Sequence, residues 1–106
     1  MALDRIALLT RRLEKDPEDS FTRYALGMEH ARKGEHDRAL ALYREVIERD
    51  AGYVPAYQMA GQLEVERGEP EAARPWLEKG IEAARAAGNQ KAVNEMMDLV
   101  DELDLL

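Results

Sequence analysis

Apolar residues recur along the chain at the three- and four-residue spacing of an amphipathic α-helix. Leu40, Tyr43 and Ile47 are spaced in this way, and residues so spaced lie on one face of a helix. Glycine and proline separate the runs, and Ser20 and Asn89 are predicted N-caps because their side chains can accept a backbone hydrogen bond. The pattern predicts six helices, at about 2–15, 20–33, 36–50, 54–67, 70–86 and 89–103.

A period of 34 residues organises about the first 85 residues of the chain. A repeat of this length is typical of helix pairs that bury their apolar faces by stacking on one another. The positions that coincide at this shift include Gly27 and Gly61, Gly34 and Gly68, Ala39 and Ala73, and Ile47 and Ile81.

Two of the recurring glycines lie inside predicted helices, where glycine costs about 1 kcal/mol relative to alanine. Gly27 and Gly61 are these residues, and Ala39 and Ala73 occupy matching positions in the helices that follow. We predict that each glycine faces the matching alanine, so that two antiparallel helices approach closely and the packing offsets the lost helix propensity.

Two sets of residues keep fixed places in the 34-residue unit: Leu26, Gly27, Gly34, Ala39, Tyr43 and Asp50, and, less regularly, Ala60, Gly61, Gly68, Ala73, Leu77 and Ile81. Through them the chain resembles the tetratricopeptide repeat family. The resemblance implies an all-α fold, a right-handed solenoid of helix-turn-helix repeats with about six helices. It also implies one domain over residues 1–106, made of a half repeat (1–19), two full repeats (20–53 and 54–87) and a C-terminal capping helix (88–106).

Some positions depart from the family's pattern. Arg23 stands where the family usually has a large apolar residue, and His30 and Glu64 stand where tyrosine is usual. Pro75 lies inside the fifth predicted helix, where proline removes one backbone hydrogen bond. We therefore predict a kink or a late start for that helix.

Composition limits the kinds of partner and cofactor. The chain has no cysteine, so disulfides and thiolate ligands are excluded. Its net charge of −7 opposes the positive field that nucleic-acid binding requires. Its apolar stretches are far shorter than the roughly 20 residues that span a bilayer, and we see no signal-peptide core. We expect a cytoplasmic protein that binds neither nucleic acid nor membrane.

The charge is uneven along the sequence. Residues 1–16 carry four basic and three acidic side chains, a net +1, whereas residues 88–106 carry one lysine and five acidic side chains, a net −4. This asymmetry permits head-to-tail contact between copies. The alternative explanation is an acidic helix face that is simply solvated.

The sequence offers no set of residues with complementary catalytic roles. His30 and His36 are the only imidazoles and lack a third metal ligand. Ser20, Thr10 and Thr22 are explained as caps or surface residues, and no glycine cluster could cradle a phosphate. We predict that the protein is not an enzyme and uses no metal or cofactor.

The family resemblance implies that the first helix of each repeat lines a concave, partner-binding groove. An aromatic and methionine stripe beside amides suits an extended or helical peptide. A lysine and asparagine clamp for a peptide carboxylate, found in some family members, is absent, because Tyr24 and Met28 stand at the matching positions. The predicted groove residues are Phe21, Tyr24, Met28, Ala31, Arg32, Gln58, Gln62, Val65 and Glu66.

Three functional interpretations follow. The first is a protein–protein interaction module, a scaffold or adaptor that binds a peptide or partner protein in the groove. The second is self-association as a homodimer or assembly subunit, because the first helix has no preceding helix to cover it. The third is a small helical enzyme or ligand binder with an unrecognised site. For Tyr24 and Met28 the alternative to the groove is the core, if Arg23 cannot be buried.

Overall fold

The structure is a computed structural model that describes residues 4–106. The predicted start of the first helix at residue 2 lies outside the described residues. Every regular element from residue 4 onward is an α-helix, which confirms the predicted all-α fold. The helices are α1 (Arg5–Lys15), α2 (Ser20–Arg32), α3 (His36–Arg49), α4 (Val54–Glu66), α5 (Pro70–Ala86) and α6 (Gln90–Asp104).

Side-chain caps fix three of the helix starts, those of α1, α2 and α6. Asn89 caps α6 as predicted, since its Oδ1 accepts a hydrogen bond from the Ala92 N–H at 3.1 Å. Asp19 caps α2 instead of the predicted Ser20, and it accepts both the N–H (3.1 Å) and the hydroxyl (2.6 Å) of Thr22. Ser20 is the first helical residue. The pKa of Asp19 is lowered, chiefly by the Thr22 hydroxyl.

The same glycine turn ends three helices. Gly34, Gly68 and Gly88 have positive φ angles of 80°, 75° and 69°, a left-handed conformation that glycine adopts without strain. In the first of these turns, the Glu35 N–H donates to the His30 carbonyl at 2.9 Å. That bond satisfies a carbonyl that the helix leaves unpaired.

The chain divides into two compact units, Met1–Asp50 and Ala51–Leu106. In the first, α2 packs against α1 on one side and α3 on the other. Its buried residues come from α2 and α3, and α1 contributes half-buried side chains only. The buried apolar residues of this unit are Leu26, Ala39, Leu40, Leu42, Tyr43 and Val46.

The second unit places α5 against both α4 and α6, and α6 also contacts α4. Because each helix contributes to one apolar cluster, this core is continuous across all three. The buried members of the cluster are Val54, Ala73, Leu77, Ile81, Ala84, Ala92, Val93, Met96 and Leu103.

Gly27 and Gly61 make room for large side chains of the neighbouring helix. A Cβ atom built on Gly27 would lie 2.7 Å from Cε1 of Tyr43, and one on Gly61 would lie 2.5 Å from Cδ2 of Leu77. Close approach is thus confirmed, and the predicted pairing of each glycine with a matching alanine stays a prediction. The nearest contact in each case comes from a large residue one turn after that alanine.

A third close glycine, Gly80 on α5, was not predicted. A Cβ atom there would lie 2.7 Å from the Cβ of Tyr57 on α4 and 2.6 Å from the Sδ of Met96 on α6. The absence of a side chain therefore lets α5 contact both neighbours at one point.

Pro75 does not delay α5, so the predicted late start is wrong. The helix runs from Pro70 to Ala86, and Pro75 is its sixth residue, on the exposed side. At this position the missing N–H would have donated to the carbonyl of Glu71, in the first turn.

Gly80→Ala should lower the free energy of unfolding. The new methyl group would collide with the Cβ of Tyr57, which is bonded to the main chain and cannot rotate away. Overpacking costs about 1–3 kcal/mol and the gain in helix propensity is about 1 kcal/mol, so we expect a net loss of up to about 2 kcal/mol in urea unfolding. The neighbouring exposed variant Lys79→Ala should change stability by less than about 0.5 kcal/mol. Equal stability of the two variants would contradict this packing.

Tyr43 should make the fold sensitive to alkali. Its hydroxyl is buried without a hydrogen-bond partner among residues 4–106, and burial raises its pKa well above the ordinary value of 10.0, with a smaller contribution from Tyr24. The folded state therefore keeps a proton that the unfolded chain loses above pH 10.0. Ionisation of Tyr43 should leave the free energy of unfolding unchanged below that pH. Above it, the free energy of unfolding should fall by at most about 1.36 kcal/mol per pH unit.

The variant Tyr43→Phe tests this linkage by urea unfolding at a series of pH values. Its stability at neutral pH should equal or exceed that of the wild type, because the unpaired hydroxyl is gone. Its decline above pH 10.0 should be shallower than the wild-type decline. If the free energies of unfolding of Tyr43→Phe and wild type fell in parallel at alkaline pH, the raised pKa of Tyr43 would be refuted.

Candidate partner-binding surface

The predicted groove residues of α2 form one stripe, because they follow one another at three- and four-residue intervals. Phe21 begins the stripe with 64% of its surface exposed, which is unusual for a large aromatic residue. Tyr24, Met28 and Ala31 are half-buried, and Arg32 is exposed. The stripe therefore presents apolar surface without being part of the closed core. We call these five residues the α2 stripe.

Tyr24 rests on the core without entering it. Its ring centroid lies 6.0 Å from that of fully buried Tyr43, with the planes tilted by 42°. This separation is typical of a favourable aromatic pair. One side of Tyr24 is thus fixed by packing, and the residue as a whole is half-buried.

Arg23 is buried, with only 5% of its surface exposed. The alternative that places Tyr24 and Met28 in the core assumed that Arg23 cannot be buried. Because Arg23 is buried, that assumption is wrong. The Nε of Arg23 lies 3.7 Å from Oε2 of Glu45 on α3, and neither Nε nor Nη1 has a hydrogen-bond partner among the described residues. A buried guanidinium beside one half-exposed carboxylate is energetically costly.

Arg32, at the end of the α2 stripe, is positioned by Glu29. One oxygen of Glu29 contacts Nη1 of Arg32 at 3.4 Å and Nε of Arg5 on α1 at 2.9 Å. The carboxylate is largely buried, whereas both arginine side chains are about two-thirds exposed. Glu29 therefore bridges α1 to α2 and leaves Arg32 accessible.

The predicted groove residues of α4 are mainly polar. Gln58 is half-buried and its Nε2 donates to Oε2 of Glu95 on α6 at 2.7 Å. Gln62 is exposed and its Nε2 lies 3.4 Å from Oε1 of Glu66. Val65 is half-buried and packs against the core of the second unit. These four α4 residues offer amide and carboxylate groups with one apolar contact.

The two sets belong to different units of the chain, the α2 stripe to the first and the α4 residues to the second. Within each unit the structure brings its own members onto one helix face. That all nine residues line a single groove stays a prediction.

The polar residues considered for chemistry make local structural contacts. His30 Nδ1 lies 3.0 Å from Oε1 of Glu35, where the chain leaves α2. Glu64 is buried and accepts from Nη1 of Arg67 at 3.2 Å. Between residues 4 and 106, no group of three His, Cys, Asp or Glu side chains is arranged to hold a metal ion. In that same range no helix is both long enough and apolar enough to cross a membrane.

A cleft between α5 and α6 was missed by the sequence analysis. It has a volume of about 300 Å³ and combines apolar and acidic side chains. Met97, which is 42% exposed, is part of it. The sequence signal was the acidic pair at a four-residue spacing, Glu78 and Glu82, but nothing in the sequence placed it beside Met97.

Comparisons with known proteins agree with the fold. The tetratricopeptide repeat family model matches residues 30–93. The chain is 35% identical over 78 residues to the photosystem I assembly protein Ycf3 of Cuscuta gronovii, a match that covers 66% of this chain and 46% of that protein. The chain thus spans about half the length of the curated relatives it matches.

Two solved structures are similar over most of their length. A tetratricopeptide repeat domain protein from Salinibacter ruber is 41% identical, with a TM-score of 0.79 over 86% of this chain and 92% of that one. A protein from Bordetella parapertussis is 26% identical, with a TM-score of 0.82 over 98% of this chain and 90% of that one. The family match and the Salinibacter likeness establish that this chain belongs to the tetratricopeptide repeat family.

Proposed function

We propose that the protein is an interaction module that binds a peptide or partner protein on the α2 stripe and the α4 residues. Members of this family generally mediate protein–protein interactions and are typically non-catalytic. The observation that carries the proposal is Phe21, an aromatic side chain that projects largely into solvent. Exposed aromatic residues are common anchors of protein interfaces.

The chemistry of the two sets suits a polypeptide ligand. Phe21, Tyr24 and Met28 offer adjacent apolar contacts, and methionine adapts its shape to different side chains. Gln58 and Gln62 carry amides that can exchange their present hydrogen bonds for bonds to a peptide backbone. Arg32 and Glu66 add one charge of each sign, which favours a partner of mixed charge.

A scaffold or assembly role is the specific form that we infer. The Cuscuta relative is named a photosystem I assembly protein, which supports a role in bringing polypeptides together. We further propose that the repeats run over 20–53 and 54–87, with 1–19 as a half repeat and 88–106 as a capping helix. In that arrangement α2 and α4 are the first helices of their repeats, the position that lines the groove.

Alanine substitutions separate surface from core. Phe21→Ala should change the free energy of unfolding by less than about 0.5 kcal/mol, because the ring is already exposed. Tyr24→Ala and Met28→Ala should each cost less than about 2 kcal/mol, whereas Tyr43→Ala should cost about 3–5 kcal/mol. Chemical denaturation measures all four. Losses at Tyr24 and Met28 as large as at Tyr43 would make them core residues and remove them from the proposed surface.

Site-specific photo-crosslinking tests the surface directly. A photoreactive phenylalanine analogue at position 21 should label a protein partner in extract of the source organism. The same analogue at Glu48, an exposed site on α3 outside the surface, should not. Adding Met28→Ala should weaken the labelling at position 21, because it removes a neighbouring contact. Equal labelling at both positions, or labelling insensitive to Met28, would refute the proposed surface.

A further inference from the structure

The outer face of α1 carries one exposed leucine among basic side chains. Leu8 is 46% exposed, and Arg11 and Lys15, three and seven residues further on, lie on the same helix face. The half-buried residues Ile6 and Leu9 mark the face that packs in the unit. The charges of α1 sum to +3, from Arg5, Arg11, Arg12 and Lys15 against Glu14.

The cleft between α5 and α6 has the complementary character. Its apolar side chains come from Ile81, Met97 and Val100, and Glu78, Glu82, Arg85 and Asp101 complete the lining. Three acidic groups against one arginine give the lining a net charge of −2. Helix α6 adds to this field, since its one lysine and five acidic residues sum to −4.

The polar contacts inside the cleft leave its acidic groups accessible. Nη2 of Arg85 lies 3.9 Å from Sδ of Met97, so the single basic side chain leans on the apolar part of the lining. Glu78, Glu82 and Asp101 are exposed. An incoming apolar side chain flanked by basic groups would therefore meet a matching surface.

We propose that α1 of one copy docks in the α5/α6 cleft of a second copy. Leu8 would contact Met97 and Val100, and Arg11 and Lys15 would face Glu78 and Glu82. The occupant is a second copy because this same chain carries both halves of the match, an apolar residue within a basic face and an apolar cleft with an acidic lining. The contact joins two different surfaces, so it can repeat from copy to copy. It is independent of the partner-binding function proposed above.

The strength of such a contact depends on salt. Its charged groups are exposed, and exposed charge pairs contribute little individually and are screened by ions. The Debye length falls from about 30 Å at about 0.01 M ionic strength to about 8 Å at about 0.15 M. Association should therefore be weak, concentration-dependent and reduced by salt.

Sedimentation velocity of the full chain over a wide concentration range tests the proposal. The wild type should shift to larger species as concentration rises, and added salt should reverse the shift. The front variant Arg11→Glu/Lys15→Glu and the cleft variant Glu78→Lys/Glu82→Lys should each raise the self-association Kd by about tenfold or more, because attraction becomes repulsion.

Mixing the two variants gives the sharpest readout. The front variant presents an acidic α1 and an acidic cleft, and the cleft variant presents a basic α1 and a basic cleft. Each repels its own copies, yet both contacts between unlike variants are attractive. The equimolar mixture should therefore regain association that neither variant shows alone. The control Arg38→Glu/Arg44→Glu changes the net charge as the front variant does, on exposed α3 sites, and should associate like the wild type.

Leu8→Asn is a second test that leaves charge unchanged. The variant removes the apolar contact at an exposed site, so it should weaken association while the thermal melting curve stays that of the wild type. It keeps the proposal testable even if a charge variant fails to fold. A monomeric wild type at every concentration would overturn the proposal, as would a cleft that binds only a basic helix of another protein. Association unchanged in Leu8→Asn, or a monomeric mixture of the two charge variants, would overturn it as well. None of these results would affect labelling at position 21.

Discussion

The fold depends on glycines that let neighbouring helices approach until a side chain of one touches the backbone of the other. Tyr43 fills the space at Gly27, Leu77 fills the space at Gly61, and Tyr57 and Met96 meet at Gly80. Dispersion contacts fall away within a fraction of an ångström, so each contact sets the helix separation closely. The backbone entropy that a helical glycine costs is offset by the packing it permits.

Much of the fold was predictable from the sequence because periodicity records burial along a single helix. Six helices and the turns at Gly34 and Gly68 follow from apolar spacing and glycine placement alone. The partner across the interface was not predictable, since a repeat of small residues does not say which side chain occupies the space. Gly80 was missed for the same reason, because its contacts come from two helices that only the folded chain brings together.

For the candidate surface, the sequence indicated helix faces but not the contacts that lie beneath them. The resemblance selected a stripe on α2, and the structure shows an exposed aromatic residue at its start and a buried ring beneath it. Composition gave no reason to expect Arg23 in the interior, because arginine is almost never fully buried unless paired. The nearby Glu45 on α3 offsets part of the cost of burying this charge, and such a partner across helices leaves no local pattern in the sequence.

Helix α1 differs from the other helices in how it is attached. It has half-buried side chains and the ion pair of Arg5 with Glu29, whereas α3 has five buried residues. Local opening costs free energy in proportion to the contacts that are lost. Separating α1 from α2 should therefore cost less free energy than separating α2 from α3, so the two sides of α2 differ in how firmly they hold their neighbour.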